Sequence, residues 1–194
     1  MSCVTNNFCL AISSPSGAGK STICRAILQN FPNFAMSVSA TTRKPRMGEV
    51  DGREYFFLDK PQFTQKISEN YFIEYAEVFG NFYGTPHNFV SQTLAEGKNV
   101  LFDIDYQGVD KINNFLQNNP LFPFYTIFIL PPSIEELQLR LIKRGLDSPE
   151  IIQTRIEKAS HEIKQSHKYN KVFTNNNLSY CLENVFEFIS EIKT

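Results

Sequence analysis

The run Ser13-Ser14-Pro15-Ser16-Gly17-Ala18-Gly19-Lys20-Ser21-Thr22 constrains this chain more than any other feature. Apolar residues 8–12 precede it, and a helical pattern over 23–28 follows. A buried strand, a glycine-bearing turn and a helix in that order read as a phosphate-binding loop. Gly17 and Gly19 let the backbone bend so that successive N–H groups converge on a polyphosphate. The helix starting near Lys20 adds the positive end of its dipole, and Lys20 adds a full charge for the outer phosphates. The Ser21 hydroxyl is a ligand for Mg²⁺. The expected cradle is Ser14, Pro15, Ser16, Gly17, Ala18, Gly19, Lys20, Ser21 and Thr22, and its ligand a nucleoside triphosphate. The motif usually opens with glycine where this chain has Ser14; the tightest backbone approach comes later, at Gly17 and Gly19. The bland alternative is an ordinary glycine-rich turn between strand and helix.

Strand and helix patterns alternate along the rest of the chain. Strands are expected at 8–12, 35–39, 54–58, 72–79, 99–104, 125–130 and 172–174, and helices at 21–30, 61–70, 88–96, 106–117, 133–144, 149–166 and 178–192. Asp59 with Gln62 suits a capping box, and Ser148-Pro149 a helix start. The alternation predicts an α/β fold, a parallel sheet flanked by helices. Residues 35–85 break it with strand-like runs and one short helix, which reads as a small β-rich insert. With 194 residues, the expectation is one domain over 1–194.

Composition excludes several classes. A net charge of −1 provides no basic field for nucleic acid or anionic membrane. The longest apolar run, 122–130, holds Pro123 and falls short of the ~20 residues of a membrane span. The N-terminus shows no signal-peptide pattern. The four cysteines, Cys3, Cys9, Cys24 and Cys181, lack metal-ligand spacing and sit in or beside apolar runs, as reduced thiols in a cytoplasmic setting do. His87, His161 and His167 fit surface or capping roles; the last two are six apart, which is no helical metal spacing.

Two further constellations carry chemistry. The run Val100-Leu101-Phe102-Asp103-Ile104-Asp105 is an apolar strand ending in carboxylates. After a phosphate loop, Asp103 is the expected Mg²⁺ partner, directly or through water. Asp103 and Asp105 share a face of an extended strand. The segment 41–55 places Arg43 and Arg46 three apart around Pro45, with Gly48, Glu49 and Tyr55 following. Such a fork suits a second anion; the competing reading is a solvated charged loop.

With these motifs in place the sequence resembles the guanylate kinases, P-loop kinases that phosphorylate GMP with ATP. The resemblance rests on S-P-S-G-A-G-K-S-T, S-V-S-A-T-T-R-K-P-R-x-G-E-V-D-G-x-E-Y, F-I-E-Y-A, G-N-x-Y-G-T, L-F-D-I-D-Y-Q-G and L-P-P-S, in the family's order from Phe8 to Phe188. It implies a core at 7–36, 86–130 and 160–190, a GMP-binding insert at 37–85 and a helical lid at 131–159. Ser39, Arg43, Arg46, Glu49, Tyr55 and Tyr83 would surround GMP, with Arg43, Arg46 and the tyrosines on its phosphate. Glu74 and Asp105, helped by Ser39 and Thr85, would face the base. Guanine presents two donors on one edge, and carboxylates only accept. Lys20, Arg46, Arg140, Arg144 and Arg155 would stabilise the transferring phosphoryl group, with Mg²⁺ at Ser21 and Asp103.

The implied substrates are ATP and GMP, with no nucleic acid or membrane partner, in a monomer or homo-oligomer. The chain departs from the family at Ser14, at Thr85 where serine is frequent, and at Asn175-Asn176-Asn177 where an Asn-Asp turn is usual near the adenine. Two other readings stay open on the sequence: a scaffold domain of this fold that has lost catalysis, and a kinase for another nucleoside monophosphate. The retained Lys20, Ser21 and Asp103 speak against the first, and the paired Glu74 and Asp105 against the second.

Overall fold

The computed structural model describes residues 7–78, 80–145 and 147–193. Cys3 and the expected strand residue Phe79 lie outside them. β1 (Cys9–Ser13) runs into α1 (Lys20–Asn30), then β2 (Phe34–Met36), β3 (Ser39–Thr41), β4 (Tyr55–Phe57) and α2 (Lys60–Ser68). β5 (Phe72–Val78) and β6 (Asn81–Pro86) lead to α3 (His87–Ala95), β7 (Asn99–Asp103), α4 (Tyr106–Asn118) and β8 (Phe124–Leu130). The chain continues with α5 (Ile134–Arg144), α6 (Pro149–Lys164), β9 (Lys171–Thr174) and α7 (Leu178–Glu191).

Five strands in the order β2-β7-β1-β8-β9 form an all-parallel sheet, as the alternating pattern predicts. β1 is central and buried throughout. Its period-two alternation sends Leu10 and Ile12 toward Ile23 and Ile27 of α1 and Val185 and Ile189 of α7. Cys9 and Ala11 face Val90 of α3 and Val109 and Ile112 of α4. Each fully buried branched side chain contributes about 2 kcal/mol, so both faces of the sheet must be covered. The register pairs Ile12 with Asp103, so β7 ends beside the point where the glycine loop leaves β1.

The second sheet has the order β4-β3-β6-β5. Two expectations are corrected here. The run 35–39 is not one strand: β2 stays in the parallel sheet, and beyond Ser37-Val38 the chain continues as β3 in the second sheet. β6, unforeseen because it carries Asn81, Gly84 and Pro86, is the inner strand between β3 and β5. Gly84 is required by packing. A Cβ there would lie 2.9 Å from Phe72 Cδ1 and 3.1 Å from Phe63 Cζ. The bare backbone lets Phe63 stack on Phe72 at 4.5 Å and on Phe82 at 5.4 Å. These rings, with Ala40 and Phe56, form a small core of the insert's own.

Helix ends follow local chemistry. Asp59 and Gln62 form the expected capping box on α2. Ser133 caps α5 and Asn177 caps α7. α6 starts with Pro149, but the Ser148 hydroxyl turns to Glu150 at 2.6 Å instead of capping. Among the described residues no helix is long and apolar enough to cross a membrane.

Candidate functional site

The glycine loop closes over the carboxyl edge of the parallel sheet. Gly17 and Gly19 sit at φ 96° and 106°, the left-handed region that favours glycine. Gly19 is also the N-cap of α1 and offers no side-chain cap, so first-turn N–H groups remain for a bound anion. A Cβ at Gly19 would lie 2.5 Å from Asn175 Nδ2. That amide donates to the Ala18 carbonyl at 2.8 Å and is buried. Asn175 therefore clasps the loop from the end of β9, a role its sequence position at a polar turn did not reveal.

Lys20 Nζ lies 2.7 Å from Asp103 Oδ1 and donates to the Ile104 carbonyl at 3.2 Å. Burial pulls the Lys20 pKa down, but the Asp103 charge and hydrogen bond outweigh it and the net shift is upward, so the ammonium stays charged. A cavity of ≈ 420 Å³ is lined by loop residues 14–17 and 19–22, with Asp105, Arg144 and Glu162, whereas the side chain of Ala18 is buried against Leu137 and Ala159. Arg144 lines the cradle. Arg155 donates from Nη1 to Ser16 Oγ at 2.7 Å and pairs with Asp147 at 3.1 Å, so it pins α6 onto the loop. Arg140 is turned elsewhere. It pairs with Glu136 at 3.0 Å and donates to the Asn175 carbonyl at 3.3 Å.

A second cavity of ≈ 200 Å³ lies between the two sheets. Ser39, Tyr55, Glu74, Tyr83 and Asp105 line it, with Lys20 and Asp103 on the core side. Residues from β3, β4, β5 and β6 thus converge on one space. Glu74 is 8% exposed and accepts from Thr85 Oγ1 at 2.8 Å, so Thr85 stands behind the carboxylate. Burial raises the Glu74 pKa; the Thr85 hydrogen bond and then the Lys111 charge oppose this, Asp105 adds to it, and the net shift is upward. Asp105 caps α4 by accepting from Gly108 N–H at 2.9 Å, which fixes the carboxylate at the cavity wall. Burial, and then Tyr83, hold the Tyr55 phenol above its ordinary pKa, so it is a donor at neutral pH.

The arginine fork sits at the rim. Arg43 pairs with Glu49 at 2.8 Å and lies 5.3 Å from the Tyr55 ring centroid. Glu49 also accepts from the Arg46 backbone N–H at 2.7 Å. Glu49 thus shapes the fork: its hydrogen bond and charge raise the Arg43 pKa, and Arg43 in turn lowers that of Glu49. Arg46 is exposed and is not among the residues lining the cavity.

A third space of ≈ 330 Å³ shares Asp105 with both of these. Ser16, Asp105 and Arg155 line it together with Glu77, Lys158 and Glu162. Glu162 was not foreseen. It stands seven positions after Arg155, two turns along the same helix face, and that spacing was the available signal. Burial, then Asp105, push its carboxyl up to about 6 against the pull of Lys20 and Lys158. His161 also lines this space, 5.6 Å from the Tyr106 ring and exposed.

The family profile described as "Guanylate kinase" matches residues 7–192. The chain is 48% identical over 176 residues to a guanylate kinase of Clostridium perfringens, covering 91% of this chain and 79% of that protein. It is 43% identical over 180 residues to one of Rickettsia felis, covering 93% and 91%. A crystal structure of guanylate kinase from Anaplasma phagocytophilum superposes with a TM-score of 0.74 at 31% identity, covering 97% of this chain and 87% of that one.

Proposed function

The chain belongs to the guanylate kinase family, and on that premise we propose that it transfers the γ-phosphoryl group of ATP to GMP, giving ADP and GDP. One observation carries the acceptor: two carboxylates, Glu74 and Asp105, line a single cavity that Lys20 and Asp103 also border. Guanine's ring N–H and exocyclic amine both donate on one edge, and a buried carboxylate accepts both. Adenine would set a bare acceptor nitrogen against the charge, which a desolvated site rejects strongly.

The insert, residues 37–85, is the acceptor module, and residues 131–159 are the lid. Tyr55 and Tyr83 present hydroxyls toward the acceptor phosphate, and Arg43 and Arg46 stand at the mouth to take its charge. The loop amides and Lys20 hold the triphosphate of ATP. The acceptor phosphate oxygen attacks directly, so no residue need act as a nucleophile. Catalysis then rests on placing positive charge around the moving group, with Lys20 and Arg144 beside the cradle, Arg155 on the loop and Arg140 bonded to Asn175, the residue that clasps the loop. The Ser21 hydroxyl and Asp103 carboxylate are an all-oxygen donor pair that fits Mg²⁺, which when bound neutralises charge on the phosphoryl oxygens. The buried thiols Cys9, Cys24 and Cys181 suit a cytoplasmic setting.

The test is ADP release from ATP and Mg²⁺ with GMP, AMP, CMP and UMP in parallel. Turnover with GMP alone supports the assignment, and comparable turnover with AMP overturns it.

A further inference from the structure

Among the described residues β5 is an edge strand of the insert sheet, with no strand on its outer side. The core helix α4 packs along that edge. From this helix Lys111 reaches across and donates to the Tyr75 carbonyl, with its ammonium 5.5 Å from the Tyr75 ring centroid. Tyr75 points outward, and its neighbour Glu74 therefore points to the opposite face, into the base cavity. The groups around Glu74 are Thr85 from β6, Asp105 and Lys111 from the core helix, and Lys20 and Asp103 across the cavity. Lys111 draws the Glu74 carboxyl toward its ionised form, while Asp105 opposes this.

We propose that Lys111 is a positioning residue for acceptor recognition: from the core helix it clamps the edge of the insert at the peptide next to Glu74. The proposal rests on the acceptor reading above. The clamp fixes the peptide beside Glu74, and hence the direction in which that carboxylate points. Its charge also favours the ionised, all-acceptor form of Glu74 against the effect of burial. A protonated Glu74 would turn one of its oxygens into a donor against a donor edge. Lys111 is exposed, so solvent screens its charge and the effect is moderate.

Kinetics of the full chain with K111M and K111R test this, varying GMP and ATP separately near pH 6 and near pH 8. K111M should raise KM for GMP about three- to tenfold, more on the acid side, while kcat and KM for ATP stay within about twofold. K111R should recover most of the loss. Amide exchange over 72–78 in the free protein reads the clamp without any substrate, and should quicken in K111M. An unchanged KM for GMP at both pH values overturns the proposal, as does a loss shared equally by ATP. If the unaltered protein fails to use GMP, the acceptor reading fails instead. Faster exchange in K111M then still upholds the clamp, and unchanged exchange overturns it.

Discussion

Replacing Glu74 by Gln should separate stability from function, with the two moving in opposite directions. Glu74 is 8% exposed, and one of its oxygens is already taken by Thr85 at 2.8 Å. The other is left for the substrate. Gln keeps the shape, but sets either a neutral oxygen or an NH₂ donor against the donors of guanine. A hydrogen bond to a buried charge contributes about 2–3 kcal/mol, so kcat/KM for GMP should fall about 30- to 150-fold. KM for ATP should hold, because the triphosphate cradle lies in a different cavity. The folded-state pKa of Glu74 is raised. The stability linked to that shift is present below the ordinary carboxylate value and lost as pH rises through the folded value. At neutral pH the ionised group therefore burdens the fold, and the neutral isostere relieves it, so Tm should rise. The assays are coupled ADP release with each substrate varied, and a thermal melt at neutral pH. A kcat/KM for GMP within threefold of the parent, or an equal loss in KM for ATP, would refute the reasoning.

Three other outcomes follow from the geometry. Gly19→Ala forces a side chain into a left-handed backbone and against the Asn175 amide, 2.5 Å away; strain plus a disrupted buried bond amount to about 3 kcal/mol, and a calorimetric melt should fall by roughly 6–12 °C. Glu162 titrates near 6 instead of 4.5, so its contribution to stability is full below 4.5 and lost as pH passes about 6. Glu162→Gln should accordingly melt higher than the parent near pH 8, and the gain should vanish near pH 4. Arg155→Met leaves the Asp147 carboxylate, 9% exposed, without its cation, a loss of about 3 kcal/mol that urea unfolding should detect and that adding Asp147→Asn should largely restore.

What the sequence made legible followed physical rules that act locally. The loop from Ser14 to Thr22, its flanking strand and helix, and the Asp103 strand could be read because backbone freedom, apolar runs and charge lie next to one another in the chain. The cavity-lining residues Ser39, Tyr55, Glu74, Tyr83 and Asp105 came from a family resemblance, and the fold brings all five to one space. Local reading failed where tertiary context decides. No local signal divides residues 35–39 between two sheets. β6 carries turn-forming residues, and is a strand because Gly84 lets the rings of Phe63 and Phe72 close over it. Asn175 and Lys111 reach their partners, Ala18 and Tyr75, across gaps of 157 and 36 residues, which no pattern of nearby residues encodes.

The break at Ser37-Val38 has a consequence for how such a protein can change. The insert keeps its own sheet and its own aromatic cluster of Phe63, Phe72 and Phe82, apart from the clusters that flank the parallel sheet. The chain enters this module next to β2 and leaves it at Pro86, where β6 gives way to α3. Substitutions within that aromatic cluster are felt mainly inside the module, because packing energies couple over contacts rather than over the whole chain, whereas Ile73 of β5 packs into the core. The far side of the module can therefore drift or be repacked, while β5, held against the core, and the phosphate loop keep the two cavities in register.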